Sequence, residues 1–524
     1  MRRSFLQLST NNIANRATKR WFSSIKRPGD WESIIGLEVH AQISTESKLF
    51  SGGATAFGAP LNSLVTFFDA AIPGTLPVLN KKCVEAAVLT AMALSCEINP
   101  VSWFDRKHYF YSDLPSGFQI TQQRKAIANK GELQFVVYNP SIHKQPYYAK
   151  SKIQQLQLEQ DSGRSLHVPS GNRSLIDLNR AGIALMEIVF EPDLKDGEEA
   201  SALVKELCLI LERIGTCSCR MEEGALRVDA NISVNRKGLP LGTRTEVKNI
   251  SSIRSIVNAI EFEVERQISE LEKGRRIVNE TRGYDAQTKQ TVPMRDKEER
   301  QDYRFMPEPN LPPLKVTYDP GSTDSKTVNI AKLRSRLKEL PEVTRKRLMK
   351  QFGLKLETAI MIVNTPGFLP YFQSVMKNID SNLGLRTANF IAVEILSELN
   401  KNNLTLNDCM IDPDKLGELI KILDDQTVNF IKATEIMQLL LKGDNRSPLQ
   451  IVKDENWMQV TDSGAIMSAC EDVLKENPNL VMKFKNSGKS KLMNQLIAKV
   501  KTKTGGKYNM QQVADTVEKL LKNS

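Results

Sequence analysis

Nine residues, Ile35 to Ile43 (IGLEVHAQI), constrain the fold more than any other stretch of this chain. Every odd position, Ile35, Leu37, Val39, Ala41 and Ile43, is apolar, and the even positions are Gly36, Glu38, His40 and Gln42. Strict alternation predicts a half-buried β-strand, because successive side chains leave a strand on opposite faces. Glu38, His40 and Gln42 then share one face, about 7 Å between alternate residues. A carboxylate and an imidazole beside a glycine make half a site for a divalent cation. On one strand alone this is equally an ordinary polar sheet face.

More segments of the same kind follow. Leu226–Val234 (LRVDANISV) comes directly after Met221-Glu222-Glu223-Gly224 and puts Arg227, Asp229, Asn231 and Ser233 on one face. Thr243–Ile250 (TRTEVKNI) does the same with Arg244, Glu246 and Lys248, and Leu158–Arg164 steps from acidic residues into a glycine turn. Carboxylates that can hold Mg²⁺, set beside cations that can meet transferred charge, are what phosphoryl transfer needs. There is no GxGxxG. Gly488-Lys489-Ser490 ends like a P-loop, but Lys483 stands where its first glycine belongs. A nucleotide here would be handled by a metal on a sheet surface.

These segments resemble, in order and over some 280 residues, those of the B-subunit family of glutamyl-tRNA(Gln) amidotransferase. The resemblance lies in IGLEVHAQI, Lys48-Leu49-Phe50, FGAPLN (57–62), PGTLPVLNKK (73–82), FDRKHYFYSDLPSGFQI (104–120), DLNRAGIALMEIVFEPD (177–193), MEEGALRVDANISV (221–234), EVKNI (246–250) and DYRFMPEPNLPPL (302–314). It implies a heteromeric enzyme that corrects misacylated tRNA. The B subunit phosphorylates the γ-carboxylate of glutamate on tRNA(Gln) with ATP and Mg²⁺, and ammonia released from glutamine by the amidase subunit displaces the phosphate. A small third subunit joins the two. By motif position, Glu38, His40, Glu159 and Glu246 are the expected metal ligands and, with Lys248, the catalytic set. Arg227, Lys248 and Arg304 are the expected nucleotide-phosphate contacts, and Glu222, Glu223 and Asp229 serve a second metal or orient the first. Many relatives read Glu-Glu-Asp where this chain has Glu159-Gln160-Asp161, so the ligand placed on Glu159 can fall on Asp161 instead. His108, His143 and His167 are read as surface or core residues.

Charge is uneven. The net charge is +11, and residues 1–27 supply seven of it through Arg2, Arg3, Arg16, Lys19, Arg20, Lys26 and Arg27, with no acid before Asp30. An acid-free, Arg- and Ser-bearing N-terminus with scattered apolar residues predicts a mitochondrial transit peptide over 1–27 and a matrix location, with Arg20-Trp21-Phe22-Ser23 as a processing site. The plainer alternative is a basic arm that touches nucleic acid. No apolar run approaches ~18 residues, so no membrane insertion is expected. The seven cysteines are odd in number and scattered, which argues against a disulfide framework. Some relatives carry two cysteine pairs after the first strand. This chain has Ser51, Gly53, Thr66 and Asp69 at those places, and no zinc is expected.

The expected fold class is α+β. Residues 28–325 form a catalytic domain, and amphipathic strands predict a mostly antiparallel sheet. The resemblance agrees, implying a fold like that of glutamine synthetase and the guanidino kinases. Prolines 307, 309, 312 and 313 close this domain. A helical domain is expected over 326–412, with helices at Lys332–Phe352 and Arg386–Leu399 and breaks at Pro366 and Pro370. A helical tail follows over 413–524. Eight lysines and no acid between Val481 and Lys507 read either as a solvated face or as a surface for tRNA phosphates.

Two rival functions are set against the enzyme. A non-catalytic tRNA-binding scaffold has no reason to gather Glu38, His40, Glu159 and Glu246. A stand-alone ligase needs a glutaminase nucleophile of its own, and no such constellation stands out.

Overall fold

The computed structural model describes residues 30–168, 171, 173–294, 303–459, 462–487 and 490–523, so the basic segment 1–27 lies outside the described residues. The chain divides into two units, Met1–Glu342 and Val343–Ser524.

The first unit is built on a nine-stranded sheet. Its strands are β1 (Trp31–Gln42), β2 (Glu97–Ile98), β6 (Ala128–Val137), β7 (Tyr147–Gln160), β10 (Ala184–Phe190), β11 (Leu226–Arg236), β12 (Thr245–Ile250), β13 (Thr281–Asp285) and β14 (Gln290–Pro293). They run in the order β14-β13-β12-β11-β1-β10-β7-β6-β2. Only the β12–β13 pair is parallel. Smaller sheets join β3 (Val101–Ser102) to β16 (Leu314–Thr317) and β17 (Val328–Asn329), β4 (Asp105–His108) to β5 (Phe118–Thr121) and β15 (Met306–Pro307), and β8 (Arg164–Val168) to β9 (Arg173–Asp177).

The alternation in β1 sets the register. Ile35, Leu37, Val39 and Ala41 are wholly buried and share one core with helices α1 (Lys81–Ala93), α2 (Gly197–Ile214) and α3 (Ile253–Glu272). A slip of one residue would expose all four and bury Glu38 and His40, so the register has no near competitor. Helix α2 starts where the Asp196 side chain accepts from the Glu199 N–H, and it ends at Gly215, φ 75°. Both ends are thereby satisfied, the left-handed turn costing glycine little.

This unit runs past the expected boundary at 325. Strand β17 pairs with β16, and Val328, Ile330 and Leu333 belong to the core of β1, with Leu337 and Leu340 packed on it. The proline cluster interrupts the ladder without ending the domain.

The second unit is helical and has two cores. One gathers Leu348 through Val452, and the other gathers Ile466 through Leu521. The boundary expected at 412/413 cuts through the first of these, because Leu416, Leu419 and Ile420 of the helix Pro413–Asp424 pack with Phe372 and Ala388. The helix expected over Lys332–Phe352 is two, Ile330–Arg334 and Pro341–Phe352. A proline disfavours the α conformation in the residue before it but suits a first turn, so Pro341 starts a helix instead of continuing one. Residues 384–401 are helical as expected, with a π turn at Ile391–Ile395. Among the described residues no helix is long and apolar enough to cross a membrane.

Candidate active site

The polar face of the large sheet carries the candidate chemistry. His40 on β1 stands opposite Glu187 on β10 and Arg227 on β11, Glu38 opposite Asp229, and Asn231 opposite Glu246 on β12. Glu187 in turn faces Gln157 on β7, and Glu159 faces Leu185. Opposite residues in antiparallel strands project to the same side, so five strands deliver side chains to one surface.

At its centre His40, Glu159 and Glu187 each offer a ligand atom, all within 4.8 Å of one another. His40 Nδ1 lies 2.9 Å from Glu159 Oε1. Burial opposes a charge on His40, but the hydrogen bond and charge of Glu159, helped by Glu187 and Asp229, raise its pKa to about 9. Glu159 is likewise disfavoured as an anion by burial, yet His40 holds it below the usual carboxylate range. Glu187 is pushed up to about 8 by burial and by the neighbouring Glu159. Gln157 Nε2 donates to Glu187 and to Thr121 Oγ1.

Two of the four expected ligands, His40 and Glu159, therefore meet, and a third partner joins that sequence reasoning missed. Glu38 and Glu246 do not join them. Glu38 accepts from Asn231 Nδ2 at 2.8 Å. Glu246 Oε1 pairs with Lys248 Nζ at 3.1 Å, and its Oε2 accepts from Thr281. Strand β12 is four places from β7 in the sheet, about 19 Å at the usual spacing, too far for Glu246 and Glu159 to share one ion.

A second charged group lies on that side. Lys248 Nζ sits 3.1 Å from both Asp229 and Glu246, and their two carboxylates overcome burial and raise its pKa. Its strand is fixed from behind by Glu263 of α3, whose carboxylate accepts from Thr245 on β12 and Thr291 on β14 and pairs with Arg266.

The remaining expected residues divide. Arg227 donates to Asp161 Oδ2 at 2.8 Å, while its buried Nε lacks a partner among the described residues. Asp161 is also 3.4 Å from Arg180, and Gln160 offers its carbonyl to Gln119. The structure thus sets Glu159 beside His40 and Glu187, and Asp161 against Arg227 and Arg180. Arg304 lies outside the large sheet, beside β4, and its carbonyl accepts from His108 Nδ1. Glu222 and Glu223 sit on a surface turn where Glu223 pairs with Arg220, and neither belongs to the His40–Glu159–Glu187 cluster. His143 Nδ1 accepts from the Asn139 N–H, and His167 contacts Ser174. At the places of the relatives' cysteines, Asp69 accepts from Ser51, the Thr66 N–H and the wholly buried Lys48.

One imidazole and two carboxylates suit a divalent cation that tolerates nitrogen beside hard oxygen. Glu159 and Glu187 set two carboxylates beside one imidazole, a donor set with room for a cation's charge.

Residues 33–320 match the family described as the GatB/GatE catalytic domain, and residues 370–521 match the GatB domain. The chain is 51% identical over 510 residues to the mitochondrial glutamyl-tRNA(Gln) amidotransferase B subunit of Aedes aegypti, covering 97% of this chain and 96% of that one. It is 47% identical to the protein of the same name from Homo sapiens, over 94% and 88% of the two chains. To the aspartyl/glutamyl-tRNA(Asn/Gln) amidotransferase B subunit of Rickettsia conorii it is 42% identical, over 92% and 95%. With both domains matched in order and these relatives aligned over nearly their whole length, the chain belongs to the GatB family, that of the amidotransferase B subunit.

Proposed function

We propose that this chain is the member of a mitochondrial glutamyl-tRNA(Gln) amidotransferase complex that activates the glutamyl group with ATP. The observation that carries the reading is the His40–Glu159–Glu187 trio on a charged sheet face, in a chain of the GatB family.

A γ-carboxylate is a poor acyl donor because its leaving group is oxide or hydroxide. In the proposed reaction one of its oxygens attacks the γ-phosphorus of ATP and ADP departs. Ammonia then attacks the acyl carbon of the mixed anhydride, phosphate leaves, and loss of a proton gives Gln-tRNA(Gln). The two substrates are both anionic, and like charges 4 Å apart repel by ~4 kcal/mol at an effective dielectric of 20. His40, Glu159 and Glu187 would hold Mg²⁺, which supplies charge neutralisation when bound. Lys248, kept charged by Asp229 and Glu246, presents a fixed cation on the same face. Arg227 brings a second, oriented by Asp161. Glu38 orients Asn231, and Arg304 is assigned to phosphate contact on motif position alone.

The amidase subunit supplies ammonia in this reading, a small third subunit completes the complex, and Glu-tRNA(Gln) is the substrate. The location is the matrix, addressed by residues 1–27. The test is ADP formation from ATP by the purified complex with Glu-tRNA(Gln), with and without glutamine. ADP formation that requires Glu-tRNA(Gln) is expected. ATP left intact by an otherwise competent complex would favour the scaffold.

A further inference from the structure

Beside β7, the small β15-β4-β5 sheet carries an aromatic cluster with no part in the chemistry above. Tyr109 and Tyr111 pack edge-to-face with centroids 5.6 Å apart, Tyr109 and Tyr303 at 6.1 Å, and Tyr303 and Phe305 at 6.2 Å. No pair of these rings is stacked face to face. Lys107 Nζ lies 4.6 Å from the Tyr303 centroid and 5.9 Å from that of Tyr109. Phe305 and Tyr111 are 37% and 56% exposed, which an ordinary core would not leave so.

The backbone that presents these rings is strained. Arg304, between Tyr303 and Phe305, sits at φ 40°. A non-glycine residue in that region persists only where its surroundings hold it. Here His108 holds Tyr303 and Arg304 itself, its backbone N–H donating to the Tyr303 carbonyl and its Nδ1 to that of Arg304, each at 2.9 Å.

The cluster also reaches the carboxylates. Lys107 acts electrostatically on both Glu159 and Glu187. The Tyr109 hydroxyl is pushed up by burial and then by Glu159 and Asp161. Lys107 also stands opposite Gln119 in the β4–β5 ladder, and Gln119 Nε2 donates to the carbonyl of Gln160, next to Glu159, at 2.7 Å.

We propose that Lys107, Tyr109, Tyr111, Tyr303 and Phe305 form a stacking platform for an adenine base, whose attached phosphate chain or aminoacyl ester it delivers to the His40–Glu159–Glu187 trio. The inference rests on the phosphoryl-transfer reading, since both substrates there carry adenosine, ATP throughout and tRNA at its 3′ end. Aromatic faces with an adjoining cation bind bases by stacking, without base-edge contacts.

The test measures KM for ATP and for Glu-tRNA(Gln) in the assembled amidotransferase, with Tyr303→Ala, Phe305→Ala and Tyr303→Phe. Removing one stacked ring should raise KM for one adenosine-bearing substrate on the order of ten- to a hundredfold. The partner's glutaminase activity should be unchanged, and Tyr303→Phe should stay near wild type. A rise for ATP alone identifies the nucleotide as occupant, and a rise for Glu-tRNA(Gln) alone identifies the tRNA terminus. The platform is overturned if neither KM moves, or if Tyr303→Phe is as impaired as Tyr303→Ala. If the wild-type complex forms no ADP, the phosphoryl-transfer reading fails, and equilibrium dialysis with labelled AMP judges the platform alone. Stronger AMP retention by wild type than by Tyr303→Ala supports it, and equal retention overturns it.

Discussion

Glu187 is the residue on which the metal reading turns. Its pKa of about 8 means that near neutral pH it carries a proton much of the time. A cation held by the trio must expel that proton and also the one that keeps His40 charged below about 9, so affinity should climb with pH and level off only above about 9. Titrating the complex with Mn²⁺ by EPR between pH 6 and 10 checks this, and a flat profile would contradict the proton count. Glu187→Gln should weaken Mn²⁺ binding at least tenfold and abolish amidation while glutaminase activity in the partner persists. Glu246→Gln should leave Mn²⁺ binding near wild type, because Glu246 is occupied by Lys248 and Thr281. Equal losses in the two variants would restore the ligand set drawn from motif position. His40 and Glu159 were legible in the sequence, through alternation for one and motif position for the other. Glu187 was not, because Ala184–Phe190 reads ALMEIVF, an apolar run with one acid. Its charge, alone in that run, was the available signal.

At the scale of elements, amphipathic strands were readable wherever one face met water. Strand β1 lost nothing between sequence and structure, since its four inward residues are wholly buried. Leu37→Ala should therefore cost about 2–5 kcal/mol, measured as a fall in denaturation midpoint at unchanged denaturant slope. A loss under 1 kcal/mol would mean the site collapses around the missing atoms. Helices were harder, because periodicity does not show where one stops. The text from Lys332 to Phe352 keeps its apolar spacing across a break, and only Pro341 marks it. The boundary at 412/413 failed for a related reason. Core membership depends on helices distant in sequence, and Phe372 with Leu416 cannot be paired from local pattern.

For the whole molecule, the open question is whether the lysine run of the helical unit is a solvated face or a surface for tRNA phosphates. The lysine run is acid-free in sequence, yet Lys503 pairs with Glu476 at 2.7 Å and with Asp472 at 3.5 Å from the helix Ser463–Glu476. Lys491, Lys499 and Lys501 are exposed. Changing these three to Gln should weaken tRNA binding and flatten its salt dependence by about one unit of slope for each lysine–phosphate pair removed. Lys503→Gln should do neither. Filter binding at two ionic strengths decides, and an unchanged slope in the triple variant would return the run to a solvated face.

The place of β1 in the sheet also has a consequence in time. It pairs with β10 on one side and β11 on the other, the latter register running from Trp31 to Arg236. The first of the described strands to leave the ribosome is thus flanked by partners some 150 to 200 residues later. At about 5–20 residues per second it waits on the order of ten seconds or more before either neighbour exists. During that wait its apolar side and both hydrogen-bonding edges are open, the exposure that chaperones answer. The strand at the centre of the candidate site therefore stays open through much of the chain's synthesis.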